Sequence, residues 1–261
     1  MRRPTTLWIV AFLLTVASAV YQRMTGPSYP ARGKVKLAGT EIGFRLPRTH
    51  GDGDAEVRVA VADQAVEGTL GWKRFKTDDP WNYSKMARQS GDLVGTLPHQ
   101  PPAGKLIYRV VLQKDLERVS LHGQPVVVRF KGEVPQAVLV VHIFCMFVGM
   151  LLSTRAGLEF FRPEPNYTGL ILTTIGLLTV GGLILGPVVQ KYAFGAYWTG
   201  WPFGTDLTDN KTAVAWLAWV IAWLKTRRNP KSGAWALGAA IVTLIVFGIP
   251  HSLFGSELKY D

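Results

Sequence analysis

The chain has 261 residues, 48% of them hydrophobic and only 18% charged, with a mean hydropathy of +0.15, which is more apolar and less charged than an ordinary soluble domain. A single cysteine, Cys145, excludes an intrachain disulfide, covalent haem attachment through C-x-x-C-H and a cysteine-type structural zinc site. The formal charge of +11 is accompanied by no nucleic-acid motif, and much of the excess flanks apolar segments, so it reads as membrane topology plus a basic soluble domain.

In chain order, Arg2 and Arg3 precede an apolar run over residues 7–20. That run satisfies two descriptions, a retained anchor continuing to about residue 24 or a signal peptide ending in Ala17-Ser18-Ala19. Both place the chain from residue 25 onward outside the cytoplasm. Residues 24–135 carry 17 Lys+Arg and 12 Asp+Glu without a long apolar run. Period-two alternation at residues 55–61 and in parts of 105–111 and 126–130, with turn signals such as Gly51-Asp52-Gly53-Asp54 and Pro101-Pro102-Ala103-Gly104 between, predicts a small antiparallel sandwich. Four further apolar segments come after it, over residues 137–152, 169–189, 213–224 and 233–249. The basic connection at residues 225–231, together with Arg2 and Arg3, belongs on the cytoplasmic side.

The reading is a membrane α-helical bundle with an inserted extracytoplasmic all-β, sandwich-like domain. Residues 1–24 are an anchor or signal, 25–135 the β domain, 136–255 a four-helix transmembrane domain and 256–261 an outward tail. The expected location is the inner (plasma) membrane of a bacterium, with the N-terminus cytoplasmic.

Of five histidines, His50, His99 and His122 fall in turn-like stretches of the β domain. His142 and His251 lie within or at the edge of apolar segments, where an imidazole needs a partner or a ligand. The topology puts both at outer helix ends, a depth match that suits the two axial positions of one haem iron, although interfacial histidines bonded to carbonyls or water are the alternative. Cys145, Met146 and Gly149, at i+3, i+4 and i+7 from His142, make a small, polarisable face beside it. Between the histidines lies an aromatic loop, residues 192–212, containing Trp198 and Trp201 and followed by Asp206, Asp209 and Lys211. Its rings offer flat faces to a flat ligand, and Lys211 could meet propionates, while an interfacial aromatic belt would explain the tryptophans without one. Asp209 could equally cap a helix beginning near Lys211. Trp216, Trp219 and Trp223 form one helical stripe. Hydrolase motifs are missing, and His142 is the only ionisable group well inside an apolar segment, which disfavours a transporter.

The order of these parts over residues 138–255 resembles the C-terminal portion of the haem-handling cytochrome c assembly proteins, whose tryptophan-rich loop W-G-x-x-W-x-W-D-x-K-E-x-W is flanked by two outward-side histidines. The resemblance implies that His142 and His251 ligate the iron, that Trp198, Trp201, Asp206 and Lys211 correspond to loop positions, and that a non-covalent b-type haem is held for apocytochrome c. Phe194 stands in place of the first tryptophan, and residues 202–205 read as an insertion. The function expected is a haem-binding assembly factor rather than an independent enzyme. The alternatives are a b-haem electron-transfer subunit of a quinol-linked complex and a ligand-free structural subunit. The β domain would receive apocytochrome c or redox-complex partners.

Overall fold

The computed structural model describes residues 4–204, 207–229, 232–250, 257–258 and 260, and the chain divides into two compact units. A helical unit comprises residues 1–27 and 134–256, and a β unit comprises residues 28–133 and 257–261.

In the helical unit, α1 (Pro4–Thr25) buries Leu7, Ala11 and Thr15, a stripe at four-residue spacing. The Thr15 hydroxyl is satisfied within the helix by the Ala11 carbonyl at 2.8 Å. Next come α2 (Gln136–Leu158), prolonged by a 3₁₀ turn to Phe161, and one continuous rod made of α3 (Thr168–Leu177), a π-helical stretch (Leu178–Leu185) and α4 (Gly186–Phe194). The last two helices are α5 (Leu207–Thr226) and α6 (Ala234–Gly248). Among the described residues, Pro4–Thr25, Gln136–Phe161 and Thr168–Phe194 are long and apolar enough to cross a membrane. The expected fourth and fifth spans are weaker, because α5 is polar in its first turn and α6 has only 15 residues.

Small residues let these helices approach closely. Gly157 of α2 leaves room for Ala240 of α6, and Ala215, Ala222, Ala236 and Ala239 are buried. At the centre Trp219 is fully enclosed, its indole N–H lying 2.9 Å from Thr243 Oγ1 and 3.2 Å from Ser153 Oγ. The tryptophan stripe of α5 is therefore core rather than a ligand face, since Trp216 likewise donates to Thr179 Oγ1 at 2.8 Å.

The β unit is sandwich-like, three sheets laid around one core. A hairpin joins β1 (Ala31–Leu37) to β2 (Thr40–Leu46) through Ala38 and Gly39, both at positive φ, the backbone a two-residue turn requires. Then come β3 (Thr49–His50), β4 (Ala55–Ala60), β5 (Glu67–Arg74), β6 (Asn82–Lys85), β7 (Ala87–Gln89), β8 (Asp92–Leu97), β9 (Lys105–Lys114), β10 (Glu117–Ser120) and β11 (Val126–Phe130). The largest sheet runs β3-β11-β9-β5-β6, with β10 also on β9, and a second runs β4-β8-β7. The strands expected at residues 55–61, 105–111 and 126–130 are β4, β9 and β11, and their inward positions supply Val57, Leu106, Tyr108, Val128 and Phe130 to the core. The described residues of the C-terminal segment lie on this unit. Glu257 takes hydrogen bonds from Lys105 at 2.6 Å and Lys76 at 2.7 Å, and Leu258 N–H donates to the Ala103 carbonyl at 3.2 Å. The Tyr260 hydroxyl accepts from Lys105 N–H at 2.9 Å.

Candidate functional site

His142 lies near the start of α2 and is half-buried. Its Nδ1 is 2.7 Å from the carbonyl of Gly181, in the π-helical stretch. A carbonyl only accepts, so Nδ1 carries the proton and Nε2 presents its lone pair. The imidazole makes no other hydrogen bond among the described residues. Gly181 can reach it because it has no side chain: a Cβ there would overlap that of Cys145, and one on Gly182 would overlap the methyl of Thr212. The π-helical stretch is thus wedged between α2 and α5. This changes one expectation, for Cys145, Met146 and Gly149 do not form an open face but pack against Gly181, Gly182, Leu177 and Leu178. The ring edge passes beside Gly186 instead.

The aromatic loop begins where Gly195, at φ +86°, ends α4 in the left-handed conformation that glycine adopts without strain. Its path is fixed by two side chains from the first turn of α5. The buried Asp209 carboxylate accepts Thr199 N–H at 2.7 Å, Gly200 N–H at 3.0 Å and Gln190 Nε2 at 3.2 Å. Asn210 Oδ1 accepts Trp201 N–H at 2.8 Å. Asp209 is therefore a clamp on the loop, and the helix begins at Leu207, earlier than the expected start near Lys211. Trp198 is half-buried and donates its indole N–H to the Trp201 carbonyl at 3.1 Å, while Trp201 is 77% and Phe203 83% exposed.

Lys211 is buried, with its ammonium 2.7 Å from the carbonyl of Ile249. Gln22, near the end of α1, donates to the Phe247 carbonyl at 2.5 Å. These two side chains occupy carbonyls that the end of α6 leaves without helical partners, four and two residues before His251 in the chain. A contiguous set of contacts therefore runs from His142 through Gly181 and Gly182 to Thr212 and Lys211 and on to Ile249. His251 and Asp206 themselves lie outside the described residues. The remaining histidines are elsewhere, in the β unit, each beside a nearby backbone carbonyl: His50 with Asp52, His99 with Gly53 and His122 with Gln124. Among the described residues no three His, Cys, Asp or Glu side chains converge as a metal site.

Reading the sequence alone missed Gln190 and Gln22 as members of this arrangement and placed Asn210 beside the loop without giving it a role. Asn210 had a visible signal, an amide beside Asp209 at a helix start, whereas Gln22 showed only as a polar residue ending an apolar run. Comparison with protein-family models, curated proteins and solved structures finds no match for this chain.

Proposed function

We propose that the chain is an integral membrane protein that holds a b-type haem at the outer end of its helical unit, with His142 and His251 as axial ligands, for cytochrome c maturation or extracytoplasmic haem handling. One observation carries the reading. His142 spends its Nδ1–H on the Gly181 carbonyl and has no hydrogen-bond partner on Nε2 among the described residues, the arrangement by which ligating histidines fix tautomer and ring orientation. That nitrogen would hold the iron, and the contacts from His142 reach Ile249, two residues before His251 in the chain.

When bound, the haem would supply a redox-active iron centre whose potential and lability depend on the residues that hold it. The chain's own residues divide the work of holding it. His142 binds and Gly181 orients it. Lys211 and Gln22 anchor the segment that leads to His251. Asp209 and Asn210 hold the loop so that Trp198, Trp201 and Phe203 present flat apolar surface. Lys225, Arg227 and Arg228 at the opposite end support an outward orientation for this one, and Gly26 beside Pro250 puts the ends of α1 and α6 together.

Hemin titration of the full-length protein in detergent tests the reading. His142→Ala should weaken binding by at least about tenfold, the scale of losses at metal sites, while His50→Ala, His99→Ala and His122→Ala should not change it. Passage of the haem to apocytochrome c marks handling, and retention through repeated reduction and reoxidation marks electron transfer. Binding that is indifferent to His142→Ala contradicts the site.

A further inference from the structure

The other end of the helical unit gathers the start of α1, the ends of α2 and α5 and the start of α6. Three cations there lie on tryptophan rings. Arg155 is 5.3 Å from the ring centroid of Trp8, Lys225 5.2 Å from that of Trp235 and Arg227 4.7 Å from that of Trp223. Arg155 differs from the other two in being buried, 3% exposed, inside a segment apolar enough to span a membrane.

Its counter-charge is shared. Glu159, also buried, lies with Oε1 2.5 Å from Arg155 Nη1, and it takes hydrogen bonds from Arg162 Nη1 at 3.0 and 3.1 Å and from Asn166 N–H at 2.8 Å. Two guanidiniums on one carboxylate leave the cluster with a net positive charge. Nη1 of Arg155 is thus occupied by the carboxylate, whereas its buried Nε has no hydrogen-bond partner among the described residues. A buried guanidinium that shares its one counter-ion with a second guanidinium and keeps an unpartnered Nε is only partly compensated for its desolvation, and a further anion would complete the compensation. At a helix end in a bilayer the abundant anion is the lipid phosphate, which the guanidinium fork matches in shape. Trp8, 40% exposed on α1, lies against the guanidinium and is a residue type suited to the headgroup level.

We propose that Arg155, with Arg162 and Trp8, binds the phosphate of an anionic phospholipid. The proposal rests on the membrane part of the proposed function and not on haem. The experiment is thermal unfolding of the full-length protein in detergent with added phosphatidylglycerol, phosphatidylcholine or inorganic phosphate. Phosphatidylglycerol should raise the midpoint and the other two should not. Arg155→Lys keeps the charge but loses the fork, and should weaken the phosphatidylglycerol response about tenfold in lipid concentration, while Lys225→Gln leaves it. Should Arg155→Lys fail to fold, native mass spectrometry of the wild type against Trp8→Ala decides, with fewer retained phosphatidylglycerol molecules expected in the variant and equal retention overturning the site. Equal responses to the two lipids, or an equal response to inorganic phosphate, overturn the lipid assignment. A chain that stays soluble without detergent contradicts the membrane reading itself.

Discussion

Glu257 and Lys105 show how one ion pair in the β unit carries a pH dependence. Burial pushes the Glu257 carboxyl up, but hydrogen bonds from Lys105 and Lys76 outweigh it and hold the group below the usual glutamate range. Burial also lowers the Lys105 ammonium, and Glu257 offsets only part of that. Because the folded carboxyl titrates lower than the unfolded one, its contribution is fully present above the ordinary glutamate pKa of about 4.3 and is lost as pH falls through the lowered value. Glu257→Gln at pH 7 should therefore loosen the segment as acid does. Hydrogen exchange at the Leu258 amide, which donates to the Ala103 carbonyl, should speed up roughly two- to fivefold, the size of a partly exposed pair. An unchanged exchange rate would show that the pair does not hold the segment. Asp79 follows the same rule more strongly: Arg74 holds its carboxyl down to about 2, so that pair persists to lower pH.

The rod from α3 to α4 depends on glycines that play opposite parts. A Cβ on Gly182 would collide with Thr212, whereas one on Gly176 meets nothing within 4 Å. Gly182→Ala should cost about 1–3 kcal/mol through overpacking and loosen the His142–Gly181 bond, while Gly176→Ala should be neutral or stabilising by up to about 1 kcal/mol. Thermal unfolding in detergent followed by circular dichroism measures both, and equal effects would contradict the wedge. This contrast also marks what could be read from the chain. Helix positions α2 and α3–α4 were legible because their apolar runs are long. The π-helical stretch was not, because it is set by non-local packing on Cys145 and Thr212 rather than by local composition. Strand β5 was missed for a related reason: Gly68 and Gly71 vacate space that Met86 and Tyr83 fill, so its alternation of large side chains is broken.

For the whole molecule, sequence periodicity separated an apolar helical part from a basic β part. The compact β unit runs from residue 28 to 133, and Glu257, Leu258 and Tyr260 belong to it. Of the site, His142 was legible as an imidazole in an apolar helix, but its tautomer, the Asp209 clamp and the Lys211 anchor were not, since each depends on backbone groups distant in sequence. The central claim, that Nε2 of His142 is held free to ligate iron, bears most directly on one measurement: the absorption spectrum of the full-length protein purified from haem-replete cells, oxidised and dithionite-reduced, beside His142→Ala. The wild type should show a Soret band with sharp α and β bands on reduction, as low-spin bis-histidine iron does, and the variant should lose or shift them. A wild type without Soret absorbance, or a His142→Ala spectrum identical to it, would contradict the claim.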